Sequence, residues 1–320
     1  MARYLVTGGA GFIGSHLVEA LLRRGDDVRV LDNLRTGSRA NMAAAAAASG
    51  TALPDFIEGD VADLEVATTA CAGVDFVLHQ AAIPSVPRSV ADPIASNRAN
   101  VDGTLAILVA ARDAGVKRLV FAGSSSVYGD AAQLPKREDM PCNPLSPYAL
   151  QKQVGEQYLQ MFTRLYGLET VTIRYFNVFG PRQDPSSAYS GVISLFVKAA
   201  QEGTVPTIYG DGEQTRDFTY VANVVDGVLR ATTTPGVSGE VINIATNGRV
   251  SLNQLWAQVK TICGATADPV YAAPRAGDVR DSQADIGKAL RLLGYVPMVP
   301  FDEGLRHTIA WATTTPAASR

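Results

Sequence analysis

An α/β fold built on a doubly wound parallel sheet is what this sequence predicts, and three observations carry the prediction. Through the first half of the chain, short β-branched runs alternate with helix-length stretches. Alternation of this kind is expected of parallel strands covered by helices on both faces. A glycine-rich turn, TGGAGFIG, stands between the first strand-like run and the first helix-like one. After about residue 176 the order becomes irregular, with many Gly and Pro turns and shorter elements. That predicts a smaller, irregular α/β lobe, with a cleft between it and the sheet. Residues 1–175 are expected to form the first domain and 176–320 mainly the second, with some late segments returning to the first.

The elements follow in order. RYLVTG (3–8), DVRVLD (27–32), DFIEGD (55–60), DFVLHQ (75–80), KRLVFAG (117–123) and ETVTIRY (169–175) read as strands. Helices are expected over 12–24, near 63–70, over 91–114 and over 148–166. The last of these opens with LSPYALQK, where Ser146 can cap and Pro147 fits the first turn. Tyr148 and Lys152 then lie one helical turn apart on one face. NMAAAAAASG (41–50) is low-complexity and predicts an exposed helical insertion without function, and the closing TTTPAASR reads as a frayed end.

Composition narrows the functions. The 320 residues are 47% hydrophobic and 18% charged, enough to bury a large core. Lys+Arg 28 against Asp+Glu 31 gives a net charge of −3, and no basic block points to nucleic acid or a membrane surface. Cys71, Cys142 and Cys263 are few and widely spaced, forming neither a metal pattern nor a disulfide framework. The N-terminus reads as a strand rather than a signal peptide, and no apolar run reaches membrane-spanning length. A cytoplasmic location is expected.

The glycine turn supplies the first chemistry. Gly8, Gly11 and Gly14 are spaced G-x-x-G-x-x-G, with Phe12 and Ile13 inside the turn. Such a turn lets backbone approach a pyrophosphate, and the following helix N-terminus presents N–H groups and a positive dipole. This is a Rossmann-type arrangement, so NAD or NADP is expected. Asp32 ends the second strand, where a carboxylate accepts both hydroxyls of an adenosine ribose and repels a 2′-phosphate. NAD is therefore favoured over NADP, although Arg35 nearby is of the type that serves NADP. Asn33 adjoins Asp32 in that loop, and Asp60 with Val61 would sit near the adenine.

TGGAGFIG, HQAA (79–82), SSSVYGD (124–130), SPYALQK and RYFNVFGPRQ (174–183) together resemble the extended short-chain dehydrogenase/reductases, and within them the NAD-dependent nucleotide-sugar epimerases. The resemblance covers nearly the whole chain. It implies a catalytic set of Ser124, Tyr148 and Lys152. A free phenol has a pKa near 10, and the Lys152 ammonium and the cationic nicotinamide ring would each favour the phenolate. At roughly 5 Å and an effective dielectric of about 20, each charge contributes about 3 kcal/mol, or some two pK units. Tyr148 would thus approach the range of a general base. Ser124 would hold the substrate 4-oxygen, and Lys152 also the cofactor ribose. Gln80, Ala81, Ala82, Ile83 and Asn100 would line the cofactor groove, with Tyr175 and Phe176 beside the nicotinamide.

For substrate, the resemblance implies a UDP-sugar. Arg216 and Arg275 would grip its pyrophosphate, Asp278 the uridine ribose, and Tyr209, Val192 and Ile193 the uracil. Asn177, Ser125 and Ser126 would reach the diphosphate or sugar, with Ser85 and Arg88 at the sugar end. Related 4,6-dehydratases and UDP-glucuronate decarboxylases carry a carboxylate after the catalytic hydroxyl; Ser125 and Ser126 here argue against both. A non-catalytic NAD-binding regulator would have lost Tyr148 or Lys152. Counting from Asp278, Ser282 stands where a tyrosine restricts related 4-epimerases to glucose and galactose. A small residue there leaves room for an N-acetyl group. RQDPSSAYSGVI (182–193) and VPRS (86–89) also resemble bacterial UDP-N-acetylglucosamine 4-epimerases. UDP-GlcNAc/UDP-GalNAc interconversion is expected, with UDP-glucose/UDP-galactose also accepted. UDP-glucuronate 4-epimerase is the runner-up, although Asn177 stands where that group tends to carry Thr. The resemblance further implies a homodimer, paired through helices 91–114 and 148–166.

Overall fold

The computed structural model describes residues 1–184, 191–274 and 279–314. Arg275, Asp278 and the expected frayed end beyond residue 314 lie outside the described residues. The first half of the chain forms β1 (Arg3–Thr7), α1 (Phe12–Arg23), β2 (Asp27–Asp32), α2 (Arg39–Ser49), β3 (Asp55–Glu58), α3 (Leu64–Cys71) and β4 (Phe76–His79). There follow α4 (Val86–Ala91), α5 (Pro93–Asn97), α6 (Gly103–Asp113), β5 (Arg118–Ser124), α7 (Pro147–Tyr166) and β6 (Glu169–Tyr175). The later elements are β7 (Val178–Phe179), α8 (Val192–Glu202), β8 (Thr207–Tyr209), β9 (Thr215–Arg216), β10 (Thr219–Tyr220) and α9 (Val221–Thr233). β11 (Val241–Ile244), β12 (Val250–Ser251), α10 (Leu252–Cys263), β13 (Val270–Ala272), α11 (Gly287–Leu293) and α12 (Phe301–Thr314) complete the fold.

Seven strands make one sheet in the order β3-β2-β1-β4-β5-β6-β11. Every neighbouring pair in it is parallel, as the doubly wound prediction requires. The order reverses between β1 and β4, and such a switch opens a crevice at the carboxyl ends of the strands. Alternating strand residues feed two cores. Tyr4, Val6, Val120 and Ala122 pack under α1, α9 and α11, while Leu5, Leu119 and Phe121 pack under α3, α6 and α7. The seventh strand comes from late in the chain and follows α9, which packs on the same sheet. A third core, around Phe179, Phe196, Trp256 and Leu305, holds the later elements together.

Two elements differ from expectation. The helix foreseen over 91–114 is broken: Pro93 has no N–H to continue α4, and Asp92 caps α5 by accepting from the Ala95 N–H at 3.0 Å. A π-helical turn, Arg98–Asp102, then leads into α6. The alanine-rich stretch is helical as expected, but one face of it is buried. Ser38 caps α2, and Met42, Ala45 and Ala46 are buried, with Met42 and Ala45 in the core that α1 also joins. Alanines on that face let the two helices approach closely. Among the described residues, no helix is long and apolar enough to cross a membrane.

Candidate active site

A cleft of about 980 Å³ opens at the carboxyl ends of the strands. Its floor is the β1–α1 turn. Gly8 has a left-handed φ of +68°, and a Cβ there would sit 2.7 Å from the Ala81 nitrogen. A Cβ on Gly14 would overlap the Gly8 carbonyl oxygen. Three backbone segments therefore meet at distances only glycine allows. Gly11 occupies the N-cap of α1 without a side-chain bond, and the first turn holds no acidic residue. The free N–H groups and the dipole of α1 thus face the cleft, where an anion satisfies them. Asp32 accepts from the Ala10 N–H at 3.0 Å and the Leu34 N–H at 2.8 Å, pinning the end of β2 to the glycine turn. Burial pushes its carboxyl above the usual range, with the two N–H bonds opposing. Asn33, Asp60 and Val61 line the same end of the cleft. A turn with no room for a Cβ at Gly8 or Gly14, an uncapped helix and a carboxylate beyond them fit a dinucleotide.

Below this floor runs a hydrogen-bonded rod. His79 Nδ1 lies 2.7 Å from Thr7 Oγ1 and its Nε2 lies 3.1 Å from Thr104 Oγ1, joining β4 to β1 and α6. Burial, with the Lys152 charge second, drives His79 down to about 3, so it is a neutral strut. Thr104 Oγ1 donates to the Asn100 carbonyl at 2.7 Å. Asn100 itself differs from expectation. It is buried behind the groove, where its side chain accepts from the Ile83 N–H at 2.8 Å and donates to Gln151 at 2.8 Å. It shapes the groove wall without lining it.

Ser124, Tyr148 and Lys152 converge on the cleft. Ser124 ends β5, opposite Tyr175 at the end of β6. Its hydroxyl lies 2.8 Å from Ser126 Oγ, and it lines the cleft with Tyr148. Ser146 caps α7, accepting from the Ala149 N–H at 3.2 Å, and Ser89 of α4 accepts from the Tyr148 N–H at 3.0 Å. Lys152 is buried; its ammonium donates to the Ala122 carbonyl at 2.8 Å and lies over the Phe121 ring at 4.7 Å. It stands 6.0 Å from the centre of the Tyr148 ring. Burial lowers it to about 8, with Glu156 acting the other way. Here the electrostatic expectation needs correction. In the protein alone, burial raises the Tyr148 phenol above its ordinary value, with Ser124 opposing. The nearby ammonium does not outweigh desolvation.

Other predicted residues separate into two groups. Gln80, Ala81, Ala82, Ser85, Arg88, Ser125 and Ser126 line the cleft with Phe12 and Ile13. Phe176, Asn177, Arg216 and Ser282 line it too, and Tyr175 joins them while donating to Gln80 Oε1 at 2.8 Å. Asn177 Nδ2 approaches Ser282 Oγ at 3.5 Å. Val192, Ile193 and Tyr209 are not among the described lining residues; Ile193 is buried in the core of the later elements. Lys136 and Trp311 line the cleft without having been singled out. No local pattern marks Lys136. Its buried backbone is clasped by the 282–285 segment, its N–H donating to Gln283 and its carbonyl accepting from the Asp285 N–H.

Comparison with known proteins agrees with this geometry. The model of the NAD dependent epimerase/dehydratase family matches residues 4–245. A UDP-glucose 4-epimerase of Mycolicibacterium smegmatis is 40% identical over 309 residues, 96% of this chain and 97% of the relative. The solved UDP-N-acetylglucosamine 4-epimerase of Methanobrevibacter ruminantium, in complex with UDP-N-acetylmuramic acid, is 37% identical with a TM-score of 0.92 and 98% of each chain covered. The UDP-glucose 4-epimerase of Thermus thermophilus, in complex with NAD, is 36% identical with a TM-score of 0.88, covering 98% of this chain and all 100% of that one.

The buried ammonium has a measurable consequence. Burial lowers Lys152 from its ordinary 10.5 to about 8, so below pH 8 the folded state alone carries the cost of ionising it, about 3 kcal/mol. Between pH 8 and 10.5 that cost fades, because the unfolded chain holds the proton and the folded one releases it. Lys152→Met is therefore expected to raise the unfolding free energy of the ligand-free protein at pH 7, by up to about 3 kcal/mol. The gain should shrink towards pH 10. Denaturant unfolding across that range checks it, and a variant less stable at pH 7 would contradict it.

Proposed function

The chain belongs to the NAD dependent epimerase/dehydratase family, and on that premise we propose that it interconverts UDP-GlcNAc and UDP-GalNAc, accepting UDP-glucose and UDP-galactose as well. It is an NAD-dependent UDP-sugar 4-epimerase; the choice of sugar is what the proposal adds. One observation carries that choice. Ser282, in the cleft wall beside Asn177, has a short side chain where a tyrosine would fill the space.

The chemistry follows from the side chains. When bound, NAD supplies the acceptor and donor of the C4 hydride. The glycine turn, the N-terminus of α1 and Asp32 hold its pyrophosphate and adenosine ribose. Tyr148 takes the proton of the sugar 4-hydroxyl and later returns it. Burial keeps the phenol protonated in the free protein although Lys152 stands nearby, so the cationic nicotinamide ring would be the further charge that favours its ionisation. Ser124 keeps the 4-oxygen within reach of the phenol. Lys152, still protonated at neutral pH, holds the cofactor ribose and steadies the phenolate. Arg216, with Arg275 in the same role, neutralises the UDP pyrophosphate. Turning the 4-keto sugar over before the hydride returns inverts C4.

A UDP-glucuronate 4-epimerase is the second reading, and Lys136 favours it. This lysine is 2% exposed and lines the cleft; its ammonium donates to the Ala131 carbonyl and pairs with no carboxylate among the described residues, so a sugar carboxylate would suit it. Asn177, in place of Thr, counts the other way. A panel of UDP-sugars incubated without added NAD, with the C4 epimers then separated, decides between the two. Fastest turnover of UDP-glucuronate would overturn the first.

The homodimer rests on exposed apolar side chains. Leu150, Met161 and Leu165 on α7 stand exposed, as do Val90 and Ile94 on the neighbouring α4 and α5. A pairing of these helices across a two-fold axis covers them. Light scattering at micromolar concentration should give twice the 33.8 kDa chain mass, and a monomer mass would refute the pairing.

Tyr148→Phe keeps the pocket and removes the base. It should retain NAD and UDP-sugar while epimerisation falls by several orders of magnitude, and near-parental turnover would sink the assignment. Ser282→Tyr should abolish turnover of the N-acetylhexosamines by steric exclusion while sparing UDP-glucose and UDP-galactose. Unchanged UDP-GlcNAc epimerisation in that variant would show that Ser282 is not the gate.

A further inference from the structure

We propose that Glu156, clamped by Arg174, is a positioning residue that keeps Lys152 an ammonium and so sets the alkaline limit of epimerisation. The inference rests on the assignment of Tyr148 and Lys152 above. Residues 148, 152 and 156 lie one turn apart on α7, so the helix carries base, ammonium and carboxylate in a single row. Glu156 and Arg174 are each 4% exposed. Arg174 Nε donates to Glu156 Oε1 at 3.0 Å and Nη2 to Oε2 at 2.8 Å, a two-pronged clasp from β6. A pair so deeply buried is weak evidence for stability, since its desolvation offsets most of the attraction. Arg174 Nη1 has no partner at all among the described residues. What the clasp does secure is direction. A Cβ on Gly123 would sit 3.1 Å from Glu156 Oε1, which sets the carboxylate against β5 beside Ala122, the residue whose carbonyl takes the Lys152 ammonium; the guanidinium lies 4.6 Å from the Tyr128 ring and 3.3 Å from Cys142 Sγ.

The surroundings of Lys152 leave Glu156 as its sole anion among the described residues. Its own helix presents Tyr148 and Glu156; β4 presents His79, which is neutral; β5 presents the Ala122 carbonyl and the Phe121 ring. Arg174 on β6, Tyr128 in the Ser125–Tyr128 turn and Cys142 stand behind Glu156. Among the described residues, no carboxylate pairs directly with Lys152. Burial therefore favours loss of this lysine's proton, and Glu156 opposes it. A neutral Lys152 neither steadies the Tyr148 phenolate nor donates fully to the cofactor ribose.

The test is the pH profile of kcat/KM for UDP-GlcNAc or UDP-glucose, whichever the parent turns over faster, between pH 6 and 10. Glu156→Gln should move the alkaline limb to lower pH by about one unit, so that it loses roughly tenfold more activity than the parent above the limb. Arg174→Gln removes the clasp that holds the carboxylate in place and ionised, and should move the limb the same way as Glu156→Gln, by a smaller amount. Damage to packing alone would lower both variants at every pH without displacing either limb. Where a single variant fails to fold, Glu156→Gln combined with Arg174→Gln removes both buried charges, and its limb should still fall. Glu156→Asp should restore the parental limb in part. Limbs within about 0.3 unit of the parent in every folded variant would overturn the inference. Tyr148→Phe, measured alongside, separates the two readings: its retained turnover would instead unseat the assignment of the site.

Discussion

All strands of the central sheet run the same way, and the chemistry depends on that constraint. Parallel strands bring their carboxyl ends to one edge, and the crossover helices that follow present their N-termini there as well. Thr7, Asp32, His79, Ser124 and Tyr175 are the last residues of β1, β2, β4, β5 and β6. Five strands thus deliver five functional or supporting side chains to one line. The reversal between β1 and β4 parts the helices above that line, and the glycine turn fills the gap with backbone alone. An anion is drawn to this edge before any charged side chain is considered.

Against this favourable field stands a row of buried charges that the fold has no stability reason to keep. Lys152 has lost its hydration and regained one carbonyl and an aromatic face. Burial has made the Tyr148 phenol a poorer acid, and the nearby cation does not reverse that. A protein selected for stability alone would replace the lysine with an apolar side chain. Its retention fits the proposed role of Tyr148 as a base, beside which the fold keeps a cation. The neutral His79 strut and the clamped Glu156 belong to the same economy, holding geometry and charge around a lysine that cannot move to water.

Much of this was legible in one dimension. The glycine spacing, the strand-end Asp32 and the Tyr148–Lys152 interval follow from periodicities of two and of 3.6 residues, which act locally. Local pattern failed where packing decides. The alanine run looked like surface because alanine carries no information about its neighbours, yet Met42 and Ala45 complete a core with α1. The 91–114 helix looked continuous because its break depends on Asp92 and Pro93 acting together with a π turn held from α7 by Gln151. Asn100 looked like a groove residue, but its amide is spent on Ile83 and Gln151. Lys136 left no trace in the sequence because its place comes from hydrogen bonds to a segment almost 150 residues away.

The sequence by itself determined the layered α/β architecture, the dinucleotide turn and the types of side chain available for proton transfer. Each of these depends on residues within a turn or a strand of one another. Tertiary structure alone decided the sign of the electrostatics. Whether Tyr148 is raised or lowered, and whether Lys152 keeps its proton, turns on how completely β5, β6 and α7 exclude water and on where Glu156 and Arg174 stand across the sheet. Desolvation is a property of the packed whole, and no spacing along the chain encodes it.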